Sequence, residues 1–458
     1  MPRLLLFCTL IFVSVAHAAA SSMSINTGEF GTVEIIKPDP PVTVTAFAFV
    51  LSGATGRQQD DIQAAQGLVA TGVQVALIDV RETLKRLQKL DQECVYLPGP
   101  LEWISHQAQH QAGVSTYMQP MLFGRRAGAA LVYTALAQAP PLSFLGGASV
   151  GFSGNWPLQK LPCDLQTTAH KKGANLLRPE QPLQGLWMLV PDAAGVTPVL
   201  QPFVERAAPL DITINDQPPA LAQIYVAAVG KLVKARDRGF EQNVHDLPVI
   251  EVGSQSSTGT LVVIYSGDGG WRDLDRNIGE NLAQNNYAVI GVDAMHYFWS
   301  QRTPEETAAD LQRILEYYLA AWDCQQIVLV GYSFGADILP FAYNRLPQPL
   351  RQKVVLLSLL APSLGASFEI HLEEWFTSYL PEDALPTAPE TARIESSKLQ
   401  CFYGAEDSED TLCLDPSMKN AEIEQTGGGH HFDEDYGALA QRIEQSIRSR
   451  TKPTAASH

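Results

Sequence analysis

The stretch Ile327 to Asp337, IVLVGYSFGAD, constrains this chain more than any other. An apolar run of strand-forming residues leads directly into Gly331-Tyr332-Ser333-Phe334-Gly335, and the helix-compatible segment ADILPFAYNRL follows. A buried strand that must reverse sharply into a helix needs glycines on both sides of the turn, and the residue at its apex is lifted into strained exposure at the sheet edge. A Gly-x-Ser-x-Gly motif alone is weak, but strand before and helix after supply the context in which a serine hydroxyl becomes a nucleophile. Ser333 is therefore the first candidate catalytic residue.

Strand and helix patterns alternate around this turn. Strands are predicted at Leu261 to Ser266, Ala288 to Asp293, Ile327 to Gly331, Val354 to Leu360, Leu399 to Tyr403 and Ala421 to Gln425. Such alternation predicts a doubly wound, mostly parallel sheet covered on both faces. One helix marks its own start, since Thr303-Pro304-Glu305-Glu306 provides an N-cap, a first-turn proline and a capping-box glutamate. Leu311, Leu315, Tyr318 and Trp322 then share the face that packs on the sheet.

Serine is a weak nucleophile at neutral pH, so an imidazole must take its proton and a carboxylate must orient that imidazole. In this architecture acid and then histidine follow the serine. After the predicted strand LQCFY comes Gly404-Ala405-Glu406-Asp407, and Asp407 is the preferred acid, with Asp410 in reserve. After the last strand the glycine-rich Gly427-Gly428-Gly429-His430-His431-Phe432 brings two imidazoles within reach of the sheet edge. His430 is preferred as the base and His431 is the alternative. The oxyanion of an acyl transfer needs fixed donors, predicted as the backbone N–H of Phe334 and one from Gly267-Asp268-Gly269-Gly270, taken as Asp268. No spacing of cysteine or histidine forms a metal-site pattern, and the motifs ask for no cofactor.

The two halves of the chain repeat each other. Phe47 to Gly56 (FAFVLSGATG) has the form of Leu261 to Trp271 (LVVIYSGDGGW), and the interval from Ser52 to Asp79 equals that from Ser266 to Asp293, 27 residues. Gly331-Tyr-Ser-Phe-Gly335 finds its counterpart in Gly124-Arg-Arg-Ala-Gly128, where Arg126 takes the place of the serine. A period of roughly 200 residues is domain duplication rather than a solenoid repeat. The expected organisation is a degenerate first domain over 28–240, a linker over 241–259 and a catalytic domain over 260–449. The first domain is expected to be inert, with Arg125, Arg126 and the basic stretch Arg81 to Lys89 available to lipid phosphates or simply solvated.

Met1 to Ala18 reads as a secretory signal peptide, with an apolar core too short to span a bilayer and a small-residue site at Ala16-His17-Ala18. The expected compartment is extracytoplasmic, with no transmembrane segment in the mature chain. A net charge of −17 excludes nucleic acid as a natural partner. Five cysteines remain beyond Cys8, so at least one stays unpaired, and Cys401 with Cys413 is the first choice of disulfide.

SGDGGWRDLDR, GVDAMHYFWSQRTPEETAADL, GYSFGADILPF and the GGHHF ending together resemble the bacterial virulence protein VirJ/AcvB family, and the two-domain length resembles its AcvB-type members. The resemblance implies two α/β-hydrolase-like domains, the first a degenerate copy. It also implies a periplasmic hydrolase that cleaves the aminoacyl ester of aminoacyl-phosphatidylglycerol at the membrane surface, with Ser333, Asp407 and His430 in the triad roles, and a link to secretion and virulence. Two other readings stay open: a secreted serine esterase or thioesterase of other specificity, and a non-enzymatic periplasmic binding or secretion factor. The site's many carboxylates, Asp268, Asp273, Asp275, Asp337, Glu406, Asp410 and Asp433, suit a cationic substrate or are solvated charges. Trp271, Tyr297, Phe298 and Trp299 face either acyl carbon or the core.

Overall fold

The computed structural model describes residues 22–40, 42–169, 175–179, 183, 185–191, 195–210, 219–239, 244, 246–254, 256–370 and 384–451. The expected signal peptide lies outside the described residues.

Two seven-stranded sheets organise the chain. The first consists of β1 (Ser22–Thr27), β2 (Gly31–Ile36), β3 (Ala46–Leu51), β4 (Val73–Ile78), β5 (Met121–Arg125), β6 (Gly146–Val150) and β10 (Leu186–Val190), in the order β1-β2-β4-β3-β5-β6-β10. A three-stranded appendage, β7 (Asn155–Trp156), β8 (Thr167–Ala169) and β9 (Asn175–Leu177), lies between β6 and β10 in the chain. The second sheet consists of β11 (Val249–Gly253), β12 (Thr260–Tyr265), β13 (Ala288–Val292), β14 (Gln326–Tyr332), β15 (Val354–Leu360), β18 (Leu399–Gly404) and β19 (Glu422–Thr426), in the order β11-β13-β12-β14-β15-β18-β19. A short hairpin, β16 (Gly365–Ala366) and β17 (Leu385–Pro386), follows β15. Within each large sheet the central strands are parallel and one edge is antiparallel, carried by β1 and β2 in the first and by β11 in the second.

The first domain's helices are α1 (Gln59–Val69), α2 (Val80–Leu87), α3 (Pro98–Gln111), α4 (Ala127–Gln138), α5 (Gln201–Val204) and α6 (Leu221–Gly239). The second domain's are α7 (Asp273–Gln284), α8 (Ala294–Tyr297), α9 (Pro304–Ala321), α10 (Phe334–Arg345), α11 (Gln348–Lys353), α12 (Ala388–Thr391) and α13 (Tyr436–Arg450). They cover both faces, so β3, β4 and β12 through β14 are buried almost without interruption, as a parallel sheet requires. The capping box at Thr303 and Glu306 is formed, and Leu311, Leu315 and Tyr318 are buried.

Two expected boundaries need correction. The stretch 241–259 is not only a linker, because Val249–Gly253 is an edge strand paired antiparallel to β13. The first sheet likewise begins before residue 28, with β1 at Ser22. Both misses are short antiparallel edges, whose alternating polar residues give no buried apolar run to find. Cys401 is bonded to Cys413, Cys94 to Cys163, and Cys324 is free and buried.

Candidate active site

Ser333 sits between β14 and α10 with φ 51° and ψ −117°, a region that costs a non-glycine residue on the order of 1–3 kcal/mol. The strain is enforced by close packing on both sides. A Cβ on Gly331 would stand 2.5 Å from the Gly335 carbonyl oxygen, and one on Gly335 would stand 2.4 Å from that of Tyr265. The Ser333 amide donates to Leu360 O of the next strand at 2.8 Å, while its carbonyl accepts from Ala336 and Asp337, the first turn of α10. This backbone holds the hydroxyl toward the loop beyond β19.

There the Oγ of Ser333 lies 2.8 Å from Nε2 of His430. The His430 loop crosses so close to the end of β18 that a Cβ on Gly404 would stand 2.4 Å from Gly429 O. Tyr332, the residue before the serine, ties this loop down by donating from its hydroxyl to His430 O at 3.2 Å, and the same oxygen is 3.1 Å from Nδ1 of His431. His431 is thus engaged with Tyr332 and not with Ser333. Sequence reasoning missed Tyr332, since the variable position of the motif carries no signal of its own.

Asp407 follows β18, and its Oδ2 is 4.0 Å from Nδ1 of His430. That distance is beyond hydrogen-bond reach, and the oxygen is buried without a donor. Contacts of this kind commonly shorten in a substrate complex. Asp410 is exposed and, among the described residues, has no side-chain hydrogen bond or ion pair to His430. Burial holds the His430 imidazole below its ordinary pKa, Asp407 works against that, and His431 adds to the lowering. The base is therefore neutral and ready to accept a proton around pH 7.

The loop after β12 closes the other side of the site. The Phe334 amide is the first of α10 and donates to no protein acceptor among the described residues, which suits an oxyanion donor. Burial raises the Asp268 carboxyl, while His430 and the amides of Gly269 and Asp268 itself lower it. The amide predicted as the second donor thus points to its own carboxylate, which also senses His430, and serves an oxyanion once that side chain turns away.

A further carboxyl, Asp337 on α10, is pushed up to about 8 by burial. Its surroundings agree with a retained proton. Ser363 Oγ is 2.8 Å from Asp337 Oδ2 and 2.7 Å from Gly365 O, and one hydroxyl proton cannot serve both acceptors. Both contacts are satisfied when Asp337 donates to Ser363 and Ser363 donates to Gly365. The Ser363 amide completes the arrangement by donating to Asp337 Oδ1 at 2.6 Å. Of the carboxylates anticipated for a cationic substrate, Asp337 is therefore neutral at pH 7, and Asp275 is buried with its carboxyl raised well above the ordinary range. Asp273, Glu406, Asp410 and Asp433 are exposed.

The aromatic residues resolve toward the core. Trp271 packs against Gly291 and Gly279, and Tyr297 and Phe298 are buried beneath α9 and α10. Phe298 also meets Phe334 with ring centroids 5.0 Å apart, so it supports the oxyanion-side helix start from below. Trp299 reaches the first domain, where its indole N–H donates to Val114 O at 3.0 Å.

In the first domain, Arg126 occupies the same strained conformation, φ 52° and ψ −110°, at the start of α4. Arg125 is not available to a phosphate, because Nε and Nη2 donate to the buried Asp61 at 2.5 and 2.7 Å. In α2, Glu82 lies 3.0 Å from Arg86 and 3.9 Å from Lys85, the arrangement of a solvated helix face. Among the described residues no three His, Cys, Asp or Glu side chains group to hold a metal ion, and no helix is long and apolar enough to cross a membrane.

A mostly parallel, helix-covered sheet with a strained serine at the C-terminal end of its central strand, and a histidine from the last loop against it, defines an α/β hydrolase. Solved structures with this fold are similar over part of the chain. MenH from S. aureus is 16% identical with TM-score 0.34, covering 44% of this chain and 98% of that one. The Pyrococcus furiosus esterase Pf2001 is 14% identical with TM-score 0.34, covering 43% and 83%. XC6422 from Xanthomonas campestris, described as an a/b serine hydrolase without lid, is 15% identical with TM-score 0.30, covering 45% and 89%. No curated protein matches the chain. Residues 259–451 match the model of the family described as bacterial virulence protein (VirJ).

Proposed function

We propose that this hydrolase is a periplasmic serine esterase that cleaves the aminoacyl ester of aminoacyl-phosphatidylglycerol, lysyl or alanyl, through Ser333, His430 and Asp407. The observation that carries the catalytic part is the 2.8 Å contact between Ser333 Oγ and His430 Nε2 at the strained turn. His430 takes the hydroxyl proton as Oγ attacks the ester carbonyl, and the negative charge that develops is met by the amides of Phe334 and Asp268. Collapse expels the glycerol oxygen of phosphatidylglycerol, to which His430 returns the proton. Water, deprotonated by the same imidazole, then releases the amino acid and restores Ser333. Asp407 holds the imidazolium that forms twice in this cycle, once its contact with Nδ1 closes.

Charge supports the substrate class. An aminoacyl ester carries its ammonium one carbon from the reacting carbonyl, and Asp268, on the oxyanion loop and in electrostatic reach of His430, is the carboxylate we assign to it. The net charge of −17 disfavours ordinary anionic phospholipid, whereas lysyl-phosphatidylglycerol is a net cation and the alanyl form a zwitterion. The test is to incubate the full chain with lysyl- and alanyl-phosphatidylglycerol and follow the release of free amino acid and phosphatidylglycerol, with Ser333→Ala as control. No release from either lipid, together with Ser333-dependent hydrolysis of uncharged esters, would move the protein to an esterase or thioesterase of other specificity. Failure of a fluorophosphonate to label Ser333 would favour a non-enzymatic periplasmic factor.

A further inference from the structure

An oxyanion donor must be held within a fraction of an ångström, because roughly 1 Å of misplacement costs about a hundredfold in rate. The loop that carries the Asp268 amide is glycine-rich, and its backbone is tied at Gly267 to the Asp275 carboxyl and at Asp268 and Gly269 to the Asp268 carboxyl. Gly270 donates at 3.0 Å to Gly267 O, the carbonyl of the peptide that carries the Asp268 amide, and the Trp271 amide donates to Asp293 Oδ2 at 3.3 Å beyond the turn. Arg272 acts on the same relay, since its Nε donates at 3.0 Å to Gly269 O, the carbonyl of the peptide whose N–H belongs to Gly270. Nothing stands within 4 Å of a Cβ built on Gly269, so that side of the turn is open.

Arginine is a long side chain with about 2 kcal/mol of rotamer entropy, and it positions a partner only if its own far end is fixed. The far end of Arg272 is fixed by the other domain. Nη1 donates at 2.9 Å to Oε2 of Glu102 on α3, 170 residues earlier in the chain, and the Glu102 side chain is only 6% exposed. The α3 face that carries Glu102 is docked rather than loosely apposed. Tyr117 packs against His296 and Trp299 with ring centroids 4.7 and 4.9 Å away, His106 packs against Trp299 at 5.8 Å, and the indole of Trp299 donates to Val114 O. The equivalent loop of the first domain has Thr55 and Gln58 in place of Gly269 and Arg272, and it serves no serine.

We infer that Glu102 of the first domain is a positioning residue for the second domain's reaction: through Arg272 it fixes the Gly269 peptide and with it the oxyanion-stabilising Asp268 amide. This rests on the serine-hydrolase reading given above. It assigns the catalytically degenerate half a part in every turnover, whatever the substrate.

The experiment compares the full chain with Ser333→Ala, Glu102→Gln, Glu102→Ala, Arg272→Ala and the Glu102→Ala/Arg272→Ala double variant, on p-nitrophenyl butyrate and in the rate of fluorophosphonate labelling. Glu102→Ala should lower kcat by about 10- to 100-fold with KM within about twofold, and slow labelling by the same factor, since the phosphonyl oxygen needs the same donors. Glu102→Gln keeps an acceptor oxygen and should recover part of the loss. The double variant should be no slower than Arg272→Ala alone, because the two residues act in series. A Glu102→Ala kcat within twofold of the parent, or a rise in KM alone, would overturn the inference while leaving the serine mechanism intact. If Glu102→Ala does not fold, the kcat of folded Glu102→Gln decides by the same criteria. A Ser333→Ala variant as active as the parent would instead remove the reading on which the inference rests.

Discussion

Ser333 and Arg126 stand at equivalent positions of two sheets and share nearly the same backbone, φ 51° and ψ −117° against φ 52° and ψ −110°. The equivalence extends through the loops around them. Ser266 and Ser52 both accept from the amide 28 residues on, Ala294 at 2.9 Å and Val80 at 3.0 Å, and Asp293 and Asp79 cap the following helices. The strained turn is therefore a property of how strand, glycines and helix pack, and it persists where no reaction follows. What distinguishes the halves is the set of side chains delivered to the turn. The buried Asp61 of the first domain is matched by Arg125, whereas Asp275, its counterpart, faces Tyr332 and keeps an unpartnered oxygen. One half spent the position before the apex on an ion pair; the other turned it into the anchor of the histidine loop.

The largest expected effect comes from exchanging the apex residues. Ser333→Ala should reduce kcat on a small ester by about 10⁴-fold or more with the fold retained, as seen by an unchanged thermal melt. Arg126→Ser should create no activity in that background, because the described part of the first domain brings no histidine to its turn; hydrolysis by the double variant would break the comparison. Removing the partners comes next. His430→Ala should approach the Ser333→Ala loss, Asp407→Ala should lose somewhat less, and neither should add much to Ser333→Ala. His431→Ala should stay within tenfold of the parent, and a dead His431→Ala beside an active His430→Ala would reassign the base.

A pH profile gives a smaller effect. Because burial lowers the His430 pKa, the acid limb of kcat/KM should fall below the ordinary imidazole value of 6.5. Asp407→Asn removes the group that raises it and should move the limb lower still. The smallest effect concerns Asp337. Its carboxyl keeps a proton in the folded chain up to about 8 but releases it near 3.8 when unfolded, so stability declines as pH rises through that window. Asp337→Asn should flatten this decline in melting temperature between pH 5 and 8, and an unchanged slope would show the group to be ionised.

The sequence by itself was sufficient for whatever is encoded locally. The apolar runs of the parallel strands, the glycines around Ser333 and His430, the capping box at Thr303 and the equal 27-residue intervals in the two halves are patterns of neighbours, and each follows from backbone sterics or burial within a short window. The short edge strands at Ser22 and Val249 were illegible because a half-exposed antiparallel strand leaves no continuous apolar run. Tertiary structure alone decided which of two adjacent histidines meets the serine, since that depends on Tyr332 holding the other. It alone paired Glu102 with Arg272 and fixed the proton on Asp337, for these depend on contacts that folding makes between residues 170 and 26 positions apart. A contact of that kind leaves no periodicity in the chain, because the free energy that selects it comes from burial and charge in the assembled protein.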